Sequence, residues 1–419
     1  MSVSARRILL VAYYYPPQNI IGARRPAALA KWLNRRGHEV TVLTSVQAGR
    51  GSDGGPSRLV RTRDLLATRL NWRGQSLEVV TGQSDDAWDP GANFWGSIFV
   101  PDVQLISWMP FAVGAAQRLH RRIGFDAVVT TSPLESAHAV GLALQRRGVP
   151  WIADMRDGWR FEAPREAWPT SAQARMDDAL ERLVVGRADA VVTVTEPLSA
   201  DLRRRHAVAV DTITNGFDPD DAGAAAVPDG AVDPRKLTLV HTGGLGTERT
   251  LRPILEALAR LAVTDATLCD RVELVLAGAQ TAEERAMYAE PRFAPFVRHV
   301  GFVARPASVA LQSASDVLVL VTSGVRTGEA TGKLFEYLAT RRPILVLGAG
   351  SAAADIVTGA RAGLAIETHD TGAAEAALRR ILSGSVPAPP ETARATFAYP
   401  ALAARYEQVL ERAIARRRR

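Results

Sequence analysis

The sequence predicts an α/β protein of two facing Rossmann-like domains, each a parallel sheet flanked by helices. Short runs rich in Val, Ile and Leu alternate with amphipathic helical stretches along most of the chain, as in strand–helix–strand units of a parallel sheet. The alternation breaks once, at residues 215–234 (NGFDPDDAGAAAVPDGAVDP), a stretch rich in Gly, Ala, Asp and Pro without periodicity. It then restarts, and the halves on either side are of similar size. A single eight-stranded α/β barrel needs no irregular break at its middle. The expected organisation is residues 1–214 as an N-terminal domain, 215–235 as a linker, 236–395 as a C-terminal domain, and 396–419 as a final helix with a basic tail.

In the first half, residues 8–13 read as a strand, 23–36 as an amphipathic helix closed by Gly37, and 39–44 as the next strand. The opening MSVSARRILLVAYYYPP places arginines before an apolar run. That run is short, lacks a small-residue cleavage pattern and leads into a strand–loop–helix pattern, so it reads as the first strand and not as a signal peptide. Between Gly49 and Gly96 the pattern weakens to loop-rich surface, with one strand expected near 77–80. Strand 126–131, helix 134–147, strand 149–153, helix 171–187 and strand 190–195 follow. The second half reads as strand 237–241, helix 251–261, strand 272–277, helix 283–288 and strand 297–302. Strand 316–322, helix 331–341 and strand 343–347 come next, then strand 364–367, helix 371–382 and a last helix over 402–417. No repeat is evident.

At 419 residues, 47% hydrophobic and 23% charged, the chain can bury two full cores and is not a disordered one. No run approaches the roughly eighteen apolar residues a membrane span needs. The single cysteine, Cys269, excludes an intrachain disulfide and fits a reducing cytoplasm. The net charge of +7 and the arginines at 416–419 suggest affinity for anions, although Arg outnumbers Lys sixteen to one and composition explains part of it. No zinc spacing, RNP-like aromatic pattern or helix-turn-helix accompanies the charge, so nucleic acid is not expected as a partner. Peripheral contact with an anionic membrane surface or a lipid acceptor is compatible with it. No pair of histidines has metal-ligand spacing, so no protein-bound metal is expected.

Two loops carry the anion signal. Strand 237–241 runs into Thr-Gly-Gly-Leu-Gly-Thr (242–247), then Arg249 and a helix. Gly243, Gly244 and Gly246 let backbone approach an anion, the next helix offers free N–H groups, and Arg249 or Arg252 can add a charged contact. A tight strand-to-helix turn explains the glycines equally well, and the loop lacks the full dinucleotide spacing and any Walker lysine. The second loop follows strand 316–322 and opens the helix that carries Lys333 and Glu336, with Glu329 just before it. Lys333 is one of only three lysines and sits in a first helical turn, where the macrodipole disfavours a cation unless an anion is bound. Lys333, Glu336 and Thr340 share one face, with Leu334 and Leu338 towards the core. That face is either a solvated polar surface or, with the first loop, a diphosphate site. In the second case Lys333 and Arg249 neutralise charge and Glu336 accepts from a ribose diol. In the first half, Asp154-Met155-Arg156-Asp157 ends strand 149–153 and Thr131-Ser132-Pro133 ends the strand before it, both at a sheet's carboxyl rim. These charges can orient a polar substrate or supply a base, or else form a local ion pair. Tyr13, Tyr14 and Tyr15 precede Gly22, Arg24 and Arg25, and suit either stacking on a sugar or packing of an ordered loop. His138 is read as structural.

Taken in order, Pro16-Pro17 to Gly22, GHEVTVLT at 37–44, TSP at 131–133, WIADMRD at 151–157, NGFD at 215–218 and GKLFEYLA at 332–339 resemble a family 4 glycosyltransferase of the GT-B fold. The resemblance covers nearly the whole length. It implies sugar transfer from a nucleoside diphosphate with retention, without metal or further cofactor, to an acceptor it does not identify. An epimerase on the same fold and a non-catalytic nucleotide-sugar-binding homologue are the alternatives. Asp157, Arg156, Lys333 and Glu329 are then the expected catalytic residues. Gly243, Gly244, Gly246, Arg249, Lys333 and Glu336 are expected on the donor, and Gly22, Arg24, Ser132 and Asp154 on the acceptor side. The final helix is implied to pack back on the N-terminal domain. Two positions depart from the family. Its first paired glutamate would fall at Gly328, one place before Glu329. The cations of its first phosphate loop would fall at Gly244 and Thr250, with Arg249 adjacent.

Overall fold

The computed structural model describes residues 4–18, 20–46, 57–65, 98–163, 167–221, 226–245 and 249–418. The strand expected at 77–80 and Gly246 lie outside these residues. The chain divides into two compact units, Met1–Thr214 with Tyr399–Arg419, and Asn215–Ala398.

The first unit holds a seven-stranded sheet in the order β3-β2-β1-β4-β5-β6-β7. Its strands are β1 (Arg7–Ala12), β2 (Glu39–Ser45), β3 (Arg58–Thr62), β4 (Ala127–Thr131), β5 (Trp151–Met155), β6 (Ala190–Thr193) and β7 (Val210–Thr212). Every pairing is parallel. The inner strands are buried on both faces, as their unbroken apolar runs require. Helix α1 (Ile21–Arg35) follows β1, α2 (Met109–Ile123) leads into β4, α3 (His138–Gln145) into β5 and α4 (Ser171–Arg187) into β6; α5 (Glu196–His206) precedes β7.

Several elements differ from the sequence reading, which has no element at α5 or β7. Helix α2 is missing from it because its core face is largely alanine (Ala112, Ala115, Ala116), which gives little apolar contrast. Strand β3 lies in the stretch read as loop. The helix expected at 134–147 begins only at His138, since Leu134 takes a left-handed φ of 41° and a 3₁₀ turn intervenes.

The second unit holds a six-stranded parallel sheet in the order β10-β9-β8-β11-β12-β13. Its strands are β8 (Leu237–Thr242), β9 (Val272–Ala277), β10 (Val297–Gly301), β11 (Val317–Val321), β12 (Ile344–Leu347) and β13 (Gly363–Ile366). Helices α6 (Arg252–Thr264), α7 (Ala282–Tyr288), α8 (Arg305–Ala314), α9 (Gly332–Ala339), α10 (Ala352–Gly359) and α11 (Thr371–Leu382) connect them. The segment read as a linker is placed in this unit. Ala231 is buried in its core, and the Asp233 amide donates to Glu273 Oε1 at 2.8 Å.

Helix α12 (Tyr399–Arg418) lies in the first unit. Leu402, Tyr406, Leu410 and Ile414 bury one face against Ala28, Leu29 and Leu33. Arg6 clamps Glu411 through two 2.7 Å bonds, and Glu407 accepts from Arg36 and pairs with His38 at 2.9 Å. In each unit the strand order reverses once, between β1 and β4 and between β8 and β11. Open α/β sheets bind ligands outside the carboxyl ends of strands at such a switch point.

Candidate active site

The loops leaving β8 and β11 meet at the second unit's switch point. Gly243 follows β8 with φ +97°, and its amide donates to the Ala277 carbonyl at 2.6 Å. A Cβ on Gly243 would lie 2.2 Å from Lys333 Nζ, and one on Gly278 would lie 2.6 Å from the Gly243 carbonyl carbon. Only glycine fits at either place. Gly244 differs: its nearest neighbour would be a carbonyl oxygen at 3.6 Å, so a side chain there has room.

Lys333 is the second residue of α9, after Thr331 at the N-cap. Leu334 and Leu338 are fully buried and fix the helix on the sheet, which leaves Lys333 half-buried against the Gly243 backbone. Among the described residues no carboxylate or hydrogen-bond acceptor engages its ammonium. Burial first, and then the charge of Arg249, lower its pKa to about 8, against the pull of Glu336 and Glu329. A helix N-terminus, a left-handed glycine and an unpaired cation converge at one point, which is the composition of an anion site.

The neighbouring charges are engaged differently from the sequence expectation. Arg249 is not free: it pairs with Glu329, whose other oxygen accepts from the Ser323 amide at 3.0 Å. Glu329 therefore fixes Arg249 and the start of the β11 loop. Arg252 pairs with Glu290 at 3.5 Å and Glu256 at 3.8 Å. Glu336 accepts from Arg305 Nε at 3.1 Å, and Arg305 also binds Asp221 at 2.9 Å. Thr340 closes α9 as its C-cap. Beneath the loop, the Thr242 amide donates to the Tyr337 hydroxyl at 3.0 Å, and burial raises that phenol to about 12.

Arg305 escaped the sequence reading, although it carries the signal that singled out Lys333: it is a cation at the first position of α8. It is what Glu336 faces.

In the first unit the rim residues are mostly internal. Asp154, expected on the acceptor side, is 0% exposed and forms a bidentate pair with Arg25 at 2.9 and 3.1 Å. Thr131 Oγ1 donates to the same carboxylate at 2.8 Å, and Arg25 Nη1 donates to the Thr214 carbonyl at 2.7 Å. Both oxygens of Asp154 are engaged by Arg25 and Thr131, so the carboxylate holds the loops together. The sequence reading names Arg25 only with the first loop and not as a buried partner of Asp154, although its spacing from Leu29 puts it on the core face of α1. Arg156 is buried too. Its Nη1 donates to the Gly22 carbonyl at 2.7 Å, and its amide donates to Ser132 Oγ at 2.8 Å. Gly22 and Ser132 thus join the first loop to the end of β5, while Arg24 and Asp157 remain half-buried at the rim. The tyrosine loop packs inward: Tyr15 is fully buried, and Tyr13 donates to Asp64 at 2.7 Å and meets Trp108 edge-on. His138 sits beside Thr130 at 2.8 Å, and burial pushes it down to about 4.

Among the described residues no three His, Cys, Asp or Glu side chains converge as a metal site, and no helix is long and apolar enough to cross a membrane.

Residues 22–216 match the family model of the glycosyl transferase 4-like domain, and residues 236–384 match that of glycosyl transferases group 1. Among curated proteins no sequence matches. Solved structures share the fold over nearly the whole chain. Sucrose-phosphate synthase from Thermosynechococcus elongatus superposes with a TM-score of 0.65 at 17% identity, covering 98% of this chain and 100% of that one. A glycosyltransferase from Rickettsia africae gives 0.63 at 12%, covering 98% and 99%. Anabaena HepE in complex with UDP gives 0.61 at 14%, covering 97% and 99%. At these identities the likeness establishes the architecture, two sheets in two units. Together the two family models take in most of both units, and the chain belongs to the family 4 type of glycosyltransferases with the GT-B fold.

Proposed function

We propose that this glycosyltransferase takes its sugar from a nucleoside-diphosphate sugar whose diphosphate lies against Gly243 and Lys333. The observation that carries this reading is the Lys333 ammonium, half-buried at a helix N-terminus and without a partner among the described residues. An anion there restores the charge balance that burial removes. Glu336 accepts the ribose hydroxyls, and Arg305 keeps one of its oxygens fixed. Arg249 turns from Glu329 to the phosphates when donor arrives, leaving Glu329 to hold the loop. Two solved structures of Anabaena HepE are described as complexes with UDP and with UDP-glucose, which supports the same donor class.

In the reaction the bond from the sugar's anomeric carbon to the diphosphate breaks and its electron pair leaves with the phosphate. A bond from that carbon to an acceptor hydroxyl forms, and the hydroxyl proton is released. Negative charge grows on the departing oxygen, and Lys333 with the α9 amide groups is placed to stabilise it. Asp157, half-buried just after β5, keeps the catalytic role expected of it in this reading. Retention of configuration and independence of metal rest on the family resemblance.

A thermal-shift screen against UDP, GDP and their sugars tests the donor assignment, because a ligand bound only to the folded state raises its stability. One nucleoside diphosphate should raise the melting temperature and the corresponding sugar should be turned over. No shift with any of them sinks the reading.

A further inference from the structure

The edge of the first sheet opposite the rim carries a charge surplus that glycosyl transfer does not use. Helix α2 ends on Arg121 and Arg122 just before β4; Arg146 and Arg147 follow α3 just before β5; Arg187 ends α4 just before β6. Strands β4, β5 and β6 are adjacent, so these three turns lie side by side at the strands' amino ends. The end of α12 joins them. Arg417 pairs with Asp189 at 3.0 Å and also donates to the Gln145 carbonyl, while Gln145 Nε2 donates to the Arg187 carbonyl at 2.8 Å. Arg416 and Arg418 flank that anchor. In the last turn of α2, burial and then the charges of Arg147 and Arg7 hold His120 below its usual range.

All seven of these arginines, Arg417 excluded, are exposed, and among the described residues no carboxylate pairs with any of them. Cations at helix C-termini are expected from the macrodipole. The second unit, under the same rule, pairs several of its own: Arg271 with Asp265, Arg341 with Glu391, and Arg379 with Glu375. The dipole accounts for arginines at both edges but not for the surplus at one, where the nearby Asp126 and Asp189 are engaged by Arg7 and Arg417.

We propose that this edge of the first unit docks on an anionic phospholipid surface. A diffuse layer of headgroups suits guanidinium groups spread over four helix ends, each reaching outward from carbonyl ends that repel phosphate. A nucleic acid would also meet these arginines, but its binding sites add backbone N–H groups, helix N-termini and aromatic stacking, and this edge presents helix C-termini. Leu183, one turn before Arg187 on the same face of α4, is 36% exposed and supplies an apolar foot.

The test is sedimentation of the full chain with vesicles of phosphatidylcholine alone and with vesicles rich in phosphatidylglycerol, across a salt series. The wild type should bind the anionic vesicles, release them as salt rises, and ignore the neutral ones. Each arginine near anionic headgroups is worth about fivefold in partitioning, so changing Arg121, Arg122, Arg146 and Arg147 to Gln should lower binding by at least about 100-fold. Arg260→Gln with Arg361→Gln and Arg380→Gln, in the second unit, should leave it unchanged, and unchanged thermal unfolding shows that both variants fold. The proposal is overturned if the wild type ignores anionic vesicles, or if the four-site variant still binds them. It is also overturned if RNA binds through these arginines more tightly than the vesicles do.

Discussion

The two switch points use the same strand order and opposite charge logic. At the first, the buried cation Arg25 is matched by Asp154, Thr131 donates to that carboxylate, and Arg156 is tied to the Gly22 carbonyl. At the second, Lys333 lies against a glycine and no described carboxylate forms an ion pair with it. A closed network fixes loop geometry, whereas an open one leaves free energy for a ligand to gain. Charge at a sheet's rim therefore does not identify a binding site unless its pairing is known.

The comparison breaks most severely at the closed pair. Asp154→Ala leaves Arg25 buried without a counter-ion and should destabilise the first unit by about 3–5 kcal/mol, read from denaturant unfolding. A loss under about 1 kcal/mol would show that the pair is not structural. Gly243→Ala forces a Cβ into the Lys333 ammonium at a left-handed φ. It should lower turnover more than Lys333→Ala does, since it displaces both the loop and the cation. Lys333→Ala itself should slow turnover at least tenfold, about 1.4 kcal/mol of barrier, and near wild-type turnover would leave Lys333 a surface residue. Arg305→Gln should weaken nucleotide affinity less than Glu336→Ala, because Arg305 acts on the ribose through Glu336; the reverse order would make Arg305 the direct contact. The smallest expected effect is on pH. The folded-state pKa of Lys333 is lowered to about 8, so its charge is complete below that pH and falls away above it. Donor affinity should decline as pH rises through about 8, and Lys333→Arg should flatten the decline.

Much of the fold was legible because parallel strands buried on both faces are continuous apolar runs, and eleven of the thirteen described strands follow from such runs; the exceptions are β7 and β3, which are short or half-exposed at a sheet edge. The meeting of Gly243 and Lys333 was legible too, since each is anomalous locally: a glycine where the chain turns, and a rare lysine at the wrong end of a helix. The pairings were not. Arg25 and Asp154 are 129 residues apart, and Arg249 and Glu329 are 80 apart. Nothing local distinguishes a carboxylate that faces a substrate from one that faces a buried arginine. Asp154 was therefore expected on the acceptor side without its Arg25 partner, Arg249 was expected on the diphosphate without its Glu329 partner, and Arg25 was read only as a cation of the first loop.

The most direct measurement is a calorimetric titration of UDP and GDP into the wild type and Lys333→Met, which keeps the length of the side chain and removes its charge. The wild type should bind one of the two, and the variant should bind it at least about tenfold more weakly. Equal affinity in the two proteins would contradict the assignment of the second unit's open charge to the donor diphosphate.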